Sequence, residues 1–250
     1  MSKLEGQAFI GTCGWSYDDW EGVFYPTGLP KRDRLQCYGE RFETVEIDST
    51  FYAIPAQTTV QGWRMRSPDG FRFSAKFPRQ ITHQRRLRNC GEMAVKFVEV
   101  MSELGDKMGP LLIQLPPSMT VRDLPQLGAF FEGLPDGFSY AVEVRHPSWL
   151  VEEFATMLKR WRVSLVLSDG AHLERFWRVT SRVVYIRWLG RWNAFERYDR
   201  VQGAYQEALE WWIPRIEHAM DHGAIVMGYV NNNFAGYSPA VAEAISDRLE

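Results

Sequence analysis

Short runs of apolar and β-branched residues recur along this chain, separated by stretches whose apolar positions return every three or four residues. That alternation predicts βα units around a parallel sheet. Eight strand-like runs fit it: Phe9 to Cys13, Thr44 to Asp48, Phe71 to Phe77, Leu111 to Leu115, Tyr140 to Arg145, Val163 to Ser168, Val183 to Trp188 and Ile225 to Asn231. In the connections, Met93, Phe97, Met101 and Leu104 share one helical face, as do Phe154, Met157, Leu158 and Trp161, and again Tyr205, Leu209, Trp212 and Ile216. Such faces pack on a sheet. Gly223 is placed to end the helix before the eighth strand, because glycine tolerates the left-handed backbone that closes a helix. A helix is also expected between the sixth and seventh strands, near His172 to Val179. Nothing between these elements reads as a linker, a repeat or a low-complexity tract. Residues 1–250 are therefore expected to form one α/β domain, a (β/α)₈ barrel of the TIM type with parallel strands.

Within each strand, successive side chains alternate between the helix side and the barrel interior. Phe71, Phe73, Ala75 and Phe77 share one face and leave Ser74 and Lys76 on the other; Tyr140, Val142 and Val144 oppose Glu143 and Arg145. Val45 and Ile47 oppose Glu46 and Asp48, and Val184, Ile186 and Trp188 oppose Tyr185 and Arg187. Polar groups thus recur on the interior face, and Gln114 and Asn231 join them near the carboxyl ends of their strands. Isolated charge in a dry core is prohibitively unfavourable, so these groups must be paired, hydrated or turned to a ligand. The carboxyl-end mouth, where barrel enzymes place their chemistry, meets that requirement.

Composition narrows the choice of partners. A length of 250 residues is the usual size of one such barrel, and 14% aromatic residues, with ten tryptophans, argue against disorder. A net charge of -2 supplies no global field for gathering nucleic acid or anionic lipid, which leaves only a local patch for that purpose. Cys13, Cys37 and Cys90 are odd in number and lack metal-site spacing, and the segment MSKLEGQAFIG has no apolar signal core. Both features lead to an expectation of a reducing cytoplasm. No apolar run approaches the roughly 18 residues of a membrane span, so no membrane partner is expected.

The inward polar residues carry the candidate chemistry. Glu46 and Glu143 lie on strands far apart around the barrel and can face one another across its mouth as acid and base, roles that a shielded pocket separates by splitting their pKa values. They equally suit an ion-pair network in which Glu46 holds Lys76 and Glu143 holds Arg187. Lys76, Arg145 and Arg187 can converge on phosphate, sulfate or carboxylate, or neutralise Glu46, Asp48 and Glu143. A desolvated Lys76 also has the chemistry of a Schiff-base amine. His83, in PRQITHQRRLR, and His146, directly after Arg145, can move a proton near the mouth, or serve as a hydrated loop residue and a helix brace. His172, His218 and His222 read as residues of helices or their ends.

Trp15, Tyr17, Trp20, Phe24 and Tyr25 follow the first strand, and Phe51 and Tyr52 the second, offering flat surfaces for a sugar or base or packing for long loops. Asn231, Asn232 and Asn233 can orient hydroxyls or cap a loop. The expected catalytic set is Glu46, Glu143, Lys76 and His83; the expected substrate contacts are Trp15, Tyr17, Asp48, Gln114, Arg145, His146, Arg187 and Asn231. No HxH, HExxH or Cys-rich spacing occurs, so neither cofactor nor metal is expected, although Glu46, Asp48, Glu143, His146 and Asp169 supply donors of the kind a divalent ion needs. Two functions follow. One is an enzyme, a hydrolase or lyase, acting on a small anionic, phosphorylated or sugar-like compound at the mouth. The other is a nucleic-acid-binding or phosphodiester-processing protein using the basic segment Arg79 to Arg88, where Arg79, Arg85, Arg86 and Arg88 can track a phosphate backbone.

Longer motifs also stand in a characteristic order: GTCGWSYDDWEGVFYP at Gly11 to Pro26, VEIDSTFYAIP at Val45 to Pro55, FSAKFPRQITHQRRL at Phe73 to Leu87 and LGDKMGPLLIQLPP at Leu104 to Pro117. AVEVRHPSW at Ala141 to Trp149, YIRWLG at Tyr185 to Gly190 and YVNNNFAGYSP at Tyr229 to Pro239 continue it. Through these motifs nearly the whole chain resembles the YecE-like barrels, also called domain of unknown function seventy-two. The resemblance implies a (β/α)₈ barrel and brings no settled activity. Two positions depart from the pattern: Asp48 stands where such proteins commonly have Asn, and Leu189 where a His frequently precedes Gly190.

Overall fold

The computed structural model describes residues 6–249. Strands β1 (Gln7–Cys13), β2 (Thr44–Ile47), β3 (Arg72–Lys76), β4 (Met108–Gln114), β5 (Tyr140–Glu143), β6 (Ser164–Gly170), β7 (Val183–Gly190) and β8 (Ile225–Val230) pair in parallel in chain order. Strand β8 pairs back onto β1, with Gly11 opposite Tyr229, and closes the barrel. The fold is thus the expected (β/α)₈ barrel. Its helices are α1 (Arg34–Gly39), α2 (Gln57–Arg66), α3 (Gly91–Ser102), α4 (Leu124–Glu132), α5 (Glu152–Trp161), α6 (Gln206–Asp221), α7 (Asn232–Ala235) and α8 (Ser238–Ser246). No helix among the described residues is long and apolar enough to cross a membrane.

Period two in the strands and the helical period in the connections produce two distinct cores. The outer one packs Val45, Ile47, Phe73, Ala75, Val142, Ile186 and Trp188 against helix residues such as Phe97, Met101, Phe154, Leu158, Leu209, Trp212 and Ile216. Burying each such side chain contributes roughly 1.5–3 kcal/mol. The inner core, inside the barrel, is small: Phe9, Cys13, Leu112, Ala141, Val166, Tyr185, Met227 and Tyr229. Above it toward the carboxyl ends the inward positions turn polar, and the parity expected for Glu46, Ser74, Glu143 and Arg187 is the one observed, since all four are buried away from the apolar outer layer.

Gly223 closes α6 as its position implied. With φ of +78°, it donates its N–H to the Met220 carbonyl at 2.8 Å while Ala224 donates to Ala219 at 3.0 Å, the paired bonds of a Schellman closure. The helix expected near His172 to Val179 does not form. That segment is irregular from 171 to 182, because its aromatic residues cover the barrel directly. Trp177 packs edge-on against Trp212 at 6.1 Å, and Trp212 packs on Trp188 at 5.8 Å. Asp169 anchors the segment's start by accepting from Arg175 at 2.7 Å and from the Trp212 indole at 3.0 Å.

Candidate functional site

The polar layer is organised by one arginine. Arg187 on β7 reaches across the barrel, donates through Nη2 to Glu46 Oε1 at 2.7 Å and donates through Nη1 to Glu143 Oε2. All three side chains are within a few per cent of complete burial. The remaining carboxylate oxygens are satisfied as well. Tyr185 donates its hydroxyl to Glu46 Oε2 at 2.7 Å, while Glu143 accepts from the Gln114 amide and from Arg145 Nε at 2.9 Å. Burial by itself would raise the Glu143 carboxyl, but Arg187, Arg145 and Lys76 outweigh it and hold the group well below the usual carboxylate range. Glu143 is therefore ionised across the working pH range. Arg187, not Lys76, is the partner of Glu46, and it serves both carboxylates. Neither Glu46 nor Glu143 lines the open space above, so the placement expected for an acid and base facing substrate is not the one found.

Above this layer the carboxyl ends of the strands and their loops border a partly open cavity of about 600 Å³. Of the expected site residues, Tyr17, Asp48, Lys76, His83, Gln114, Arg145, Arg187 and Asn231 line it. Lys76, at the end of β3, lies with Nζ 4.4 Å from the centre of the Phe51 ring and has no hydrogen-bond or ionic partner among the described residues. Burial, with Arg187 and Arg145 adding, lowers its ammonium to about 8. Ile47 stands opposite Ala75 in the β2–β3 register, so Asp48, one residue further on, comes out beside Lys76. Burial pushes the Asp48 carboxyl up, Glu46 adding and Lys76 and Arg187 opposing.

His83 belongs to a π-helical turn, Gln80–Gln84, in a segment the sequence suggested was a loop. Such turns place an extra residue and re-aim side chains, and they are frequent at functional sites. The turn is followed by left-handed backbone at Arg86, Leu87 and Asn89, three non-glycine residues within four positions. The His83 ring stands edge-on to Phe51 with centroids 5.0 Å apart and shares a 2.9 Å hydrogen bond between Nδ1 and the Thr82 hydroxyl. Burial, with Arg145 and Lys76 adding, lowers its imidazole to about 4, so the ring is neutral near pH 7. Phe51 thus carries the amine over its face and packs at right angles to the imidazole.

Two expected contacts lie elsewhere. Trp15 packs edge-on against Trp63 of α2 at 5.8 Å, outside the cavity, because the loop after β1 turns toward the helix layer. His146 caps the turn Pro147–Trp149, its Nδ1 accepting from Ser148 N at 3.2 Å, and does not reach the mouth. The asparagines act largely as caps: Asn231 accepts from Asn233, and Asn232 accepts from Ser238. Tyr17 donates to the Cys13 carbonyl, and burial raises its phenol far above the ordinary value. In the basic segment, Arg86 is engaged by Ser118 and Asp123, and Arg85 by the Asn89 carbonyl. Among the described residues no three His, Cys, Asp or Glu side chains gather as a metal-ligating group.

The cavity also recruits His172, Trp192 and Tyr198, which strand periodicity could not indicate because all three lie on loops. Tyr198 donates its hydroxyl to Asn233 Oδ1 at 3.0 Å and is drawn inward by that bond. Trp192 and Tyr52 stand at the opening 82% and 72% exposed. Large exposed rings are a signal of surface recognition, but only a structure reveals the exposure.

The comparisons with known proteins agree with this architecture. The family model described as "Protein of unknown function DUF72" matches residues 9–250. The UPF0759 protein YecE of Escherichia coli K12 is 38% identical over 144 residues, 58% of this chain and 50% of the relative. The UPF0759 protein YunF of Bacillus subtilis 168 is 30% identical over 120 residues, 44% of this chain and 40% of the relative. The chain spans about half the length of the curated relatives it matches. Among solved structures, a DUF72 family protein of Thermotoga maritima superposes with a TM-score of 0.79 at 26% identity, covering 97% of this chain and 99% of the other. A DUF72 family protein of Enterococcus faecalis gives 0.75 at 20% identity over 98% and 97% and shares the fold. With the match running from the first barrel strand to the end of the chain, this protein belongs to the DUF72 family, the group that includes the UPF0759 protein YecE.

Proposed function

We propose that the protein is an enzyme acting on a small anionic compound, phosphorylated or sugar-like, bound in the carboxyl-end mouth of the barrel. One observation carries this reading: Lys76 and Arg145 present donors not taken by carboxylates to a partly open cavity. Arg187 commits Nη1 and Nη2 to Glu143 and Glu46, leaving only its buried Nε without a partner among the described residues. Arg145 gives only Nε to Glu143 and remains 21% exposed at the cavity, and Lys76 is unpaired there. A guanidinium with free N–H groups offers a planar fork to phosphate or carboxylate, and a nearby ammonium adds field. The buried Arg187 ties both carboxylates into a fixed floor beneath that pair. Tyr52 and Trp192 at the opening provide apolar faces suited to a sugar ring.

Proton transfer in this reading falls to Asp48 and His83. Both line the cavity, and burial leaves the carboxyl more easily protonated than usual and the imidazole neutral near pH 7. Glu46 and Glu143 become the positioning charges under the site.

Thermal denaturation and calorimetry with inorganic phosphate and a panel of sugar phosphates test the proposal. Millimolar phosphate is expected to raise the thermal midpoint of the native chain and to lose that effect in Arg145→Ala. Equal protection in the variant, or none by any anion in the panel, overturns it.

A further inference from the structure

We propose that Lys76 forms an imine with the carbonyl carbon of a small anionic aldehyde or ketone held in the mouth. The inference rests on the reading of the mouth as an anion site and adds the chemical class of the substrate.

The first support is geometric. Lys76 leaves the barrel at the end of β3, with its backbone held by the β3–β4 register opposite Leu112 and its carbonyl accepting from Thr50 Oγ1 at 2.7 Å. Its stem is fixed while its amine faces the cavity, unpaired. The absence of a partner is notable because Glu46 and Glu143 lie in the layer directly below. Both are already taken, by Arg187 and by Arg145, so neither holds the amine as a permanent ammonium. In place of a carboxylate it meets the face of Phe51 at 4.4 Å. An apolar floor and neighbouring cations are the surroundings that activate an amine. They bring its pKa to about 8, which leaves roughly a tenth of the amine unprotonated at pH 7.

The second support is the company it keeps. Asp48 emerges just past the adjoining strand beside it, also without an ionic partner among the described residues and more readily protonated than an ordinary carboxyl. His83, neutral, packs at right angles against the same Phe51 ring. In the forward step the Nζ lone pair bonds to the carbonyl carbon, and the carbonyl π electrons move to oxygen, which takes a proton from the Asp48 carboxyl. The nitrogen then gives up a proton, which returns to Asp48, directly or by way of His83. The hydroxyl departs as water with a proton from the same acid, and C=N replaces C=O. Amine plus carbonyl becomes imine plus water, with no oxidant or reductant. Arg145 is the seat for the substrate's anionic end, which keeps that charge off Nζ and preserves the neutral amine. A protonated imine draws electrons from the neighbouring carbon, which is what a lyase requires.

Borohydride trapping tests this on the full chain. The protein is incubated with dihydroxyacetone phosphate, or with acetone as the uncharged probe, then reduced with sodium borohydride and analysed by intact and peptide mass spectrometry. One reduced adduct per chain, mapped to Lys76 and at least tenfold above the level in Lys76→Arg, is expected with the phosphorylated probe. Inorganic phosphate should suppress it, and Arg145→Ala should reduce it about tenfold while lowering the weaker acetone labelling much less, by no more than the loss of its field on Lys76 accounts for. The yield should climb between pH 7 and 9 as the amine deprotonates. The charged and titratable groups around it are Glu46 and Asp48 from the β2 side, His83 from the π turn, Glu143 and Arg145 from β5 and its end, and Arg187 from β7. Labelling spread evenly over surface lysines, or undiminished in Lys76→Arg whose thermal midpoint matches the native chain, overturns the proposal. Phosphate protection that depends on Arg145 without any Lys76 adduct overturns the imine alone; loss of both overturns the mouth reading as well.

Discussion

Replacing Arg187 with Met tests whether one guanidinium holds the polar layer together. Arg187 is 4% exposed, between a Glu46 that is fully buried and a Glu143 that is 2% exposed. Opposite charges about 4 Å apart attract by about 4 kcal/mol at an effective dielectric of 20, so two such pairs give a gross attraction near 8 kcal/mol, most of it offset by desolvation of the three ions. The substitution does not return that desolvation, because both carboxylates stay where they are. Glu143 still has Arg145 and Gln114, but Glu46 keeps only the Tyr185 hydroxyl. A loss of about 3–5 kcal/mol is therefore expected, the usual result of stranding one member of a buried pair. In a chain of this size it appears as a fall in thermal midpoint of roughly 6–20 °C. Adding Glu46→Gln to Arg187→Met removes the stranded charge and should recover about 2 kcal/mol, a coupling that urea denaturation of the four-member cycle measures. A loss below about 1 kcal/mol, or a double variant no more stable than Arg187→Met, would refute the argument.

Other consequences can be checked with the same assays. His83 is neutral in the fold down to about pH 4, whereas the unfolded chain protonates it near 6.5; the unfolded state therefore binds more protons in that window, stability falls as pH drops from about 6.5 toward 4, and His83→Gln should flatten this part of the urea-derived profile. Glu143, held below the carboxylate range, contributes stability that is present above the unfolded value of about 4.3 and lost as pH falls through the lower folded value, so Glu143→Gln should weaken the native chain at pH 7 and reduce its further loss in strong acid. Gly190 has φ of +66°, and a Cβ there would overlap the Asn233 carbonyl oxygen; Gly190→Ala should lower the thermal midpoint by several degrees and displace the asparagine cap. If the Arg79 to Arg88 segment tracks nucleic acid, binding measured by anisotropy weakens steeply with salt, and Arg85→Ala with Arg86→Ala shallows the slope by about two; no salt-dependent binding removes that alternative.

The barrel was legible in the chain because its two periods are strong and local. Alternation in β2, β3, β5 and β7 separated Val45, Phe73, Val142 and Ile186 from Glu46, Ser74, Glu143 and Arg187, and hydrogen bonding in parallel strands leaves a side chain only two directions in which to point. Gly223 marked a helix end for an equally local reason. The helix near His172 to Val179 failed where those reasons give out: Trp177 packs on Trp212, and tertiary contact overrides local propensity. Inward parity likewise identified which charges meet but not which partners they choose. That choice depends on reach across the barrel, and the long Arg187 side chain spans Glu46 and Glu143 while Lys76 stays free. The roles of Trp15, His146, Trp192 and Tyr198 were decided by loop paths, which no periodicity records. The sequence by itself determined the barrel, the layer in which polar groups collect and the mouth they face. Only the tertiary structure decided that Glu46 and Glu143 are buried beneath Arg187 and that Lys76, Asp48 and His83 face the cavity, because pairing between charges is a matter of three-dimensional distance rather than of order along the chain.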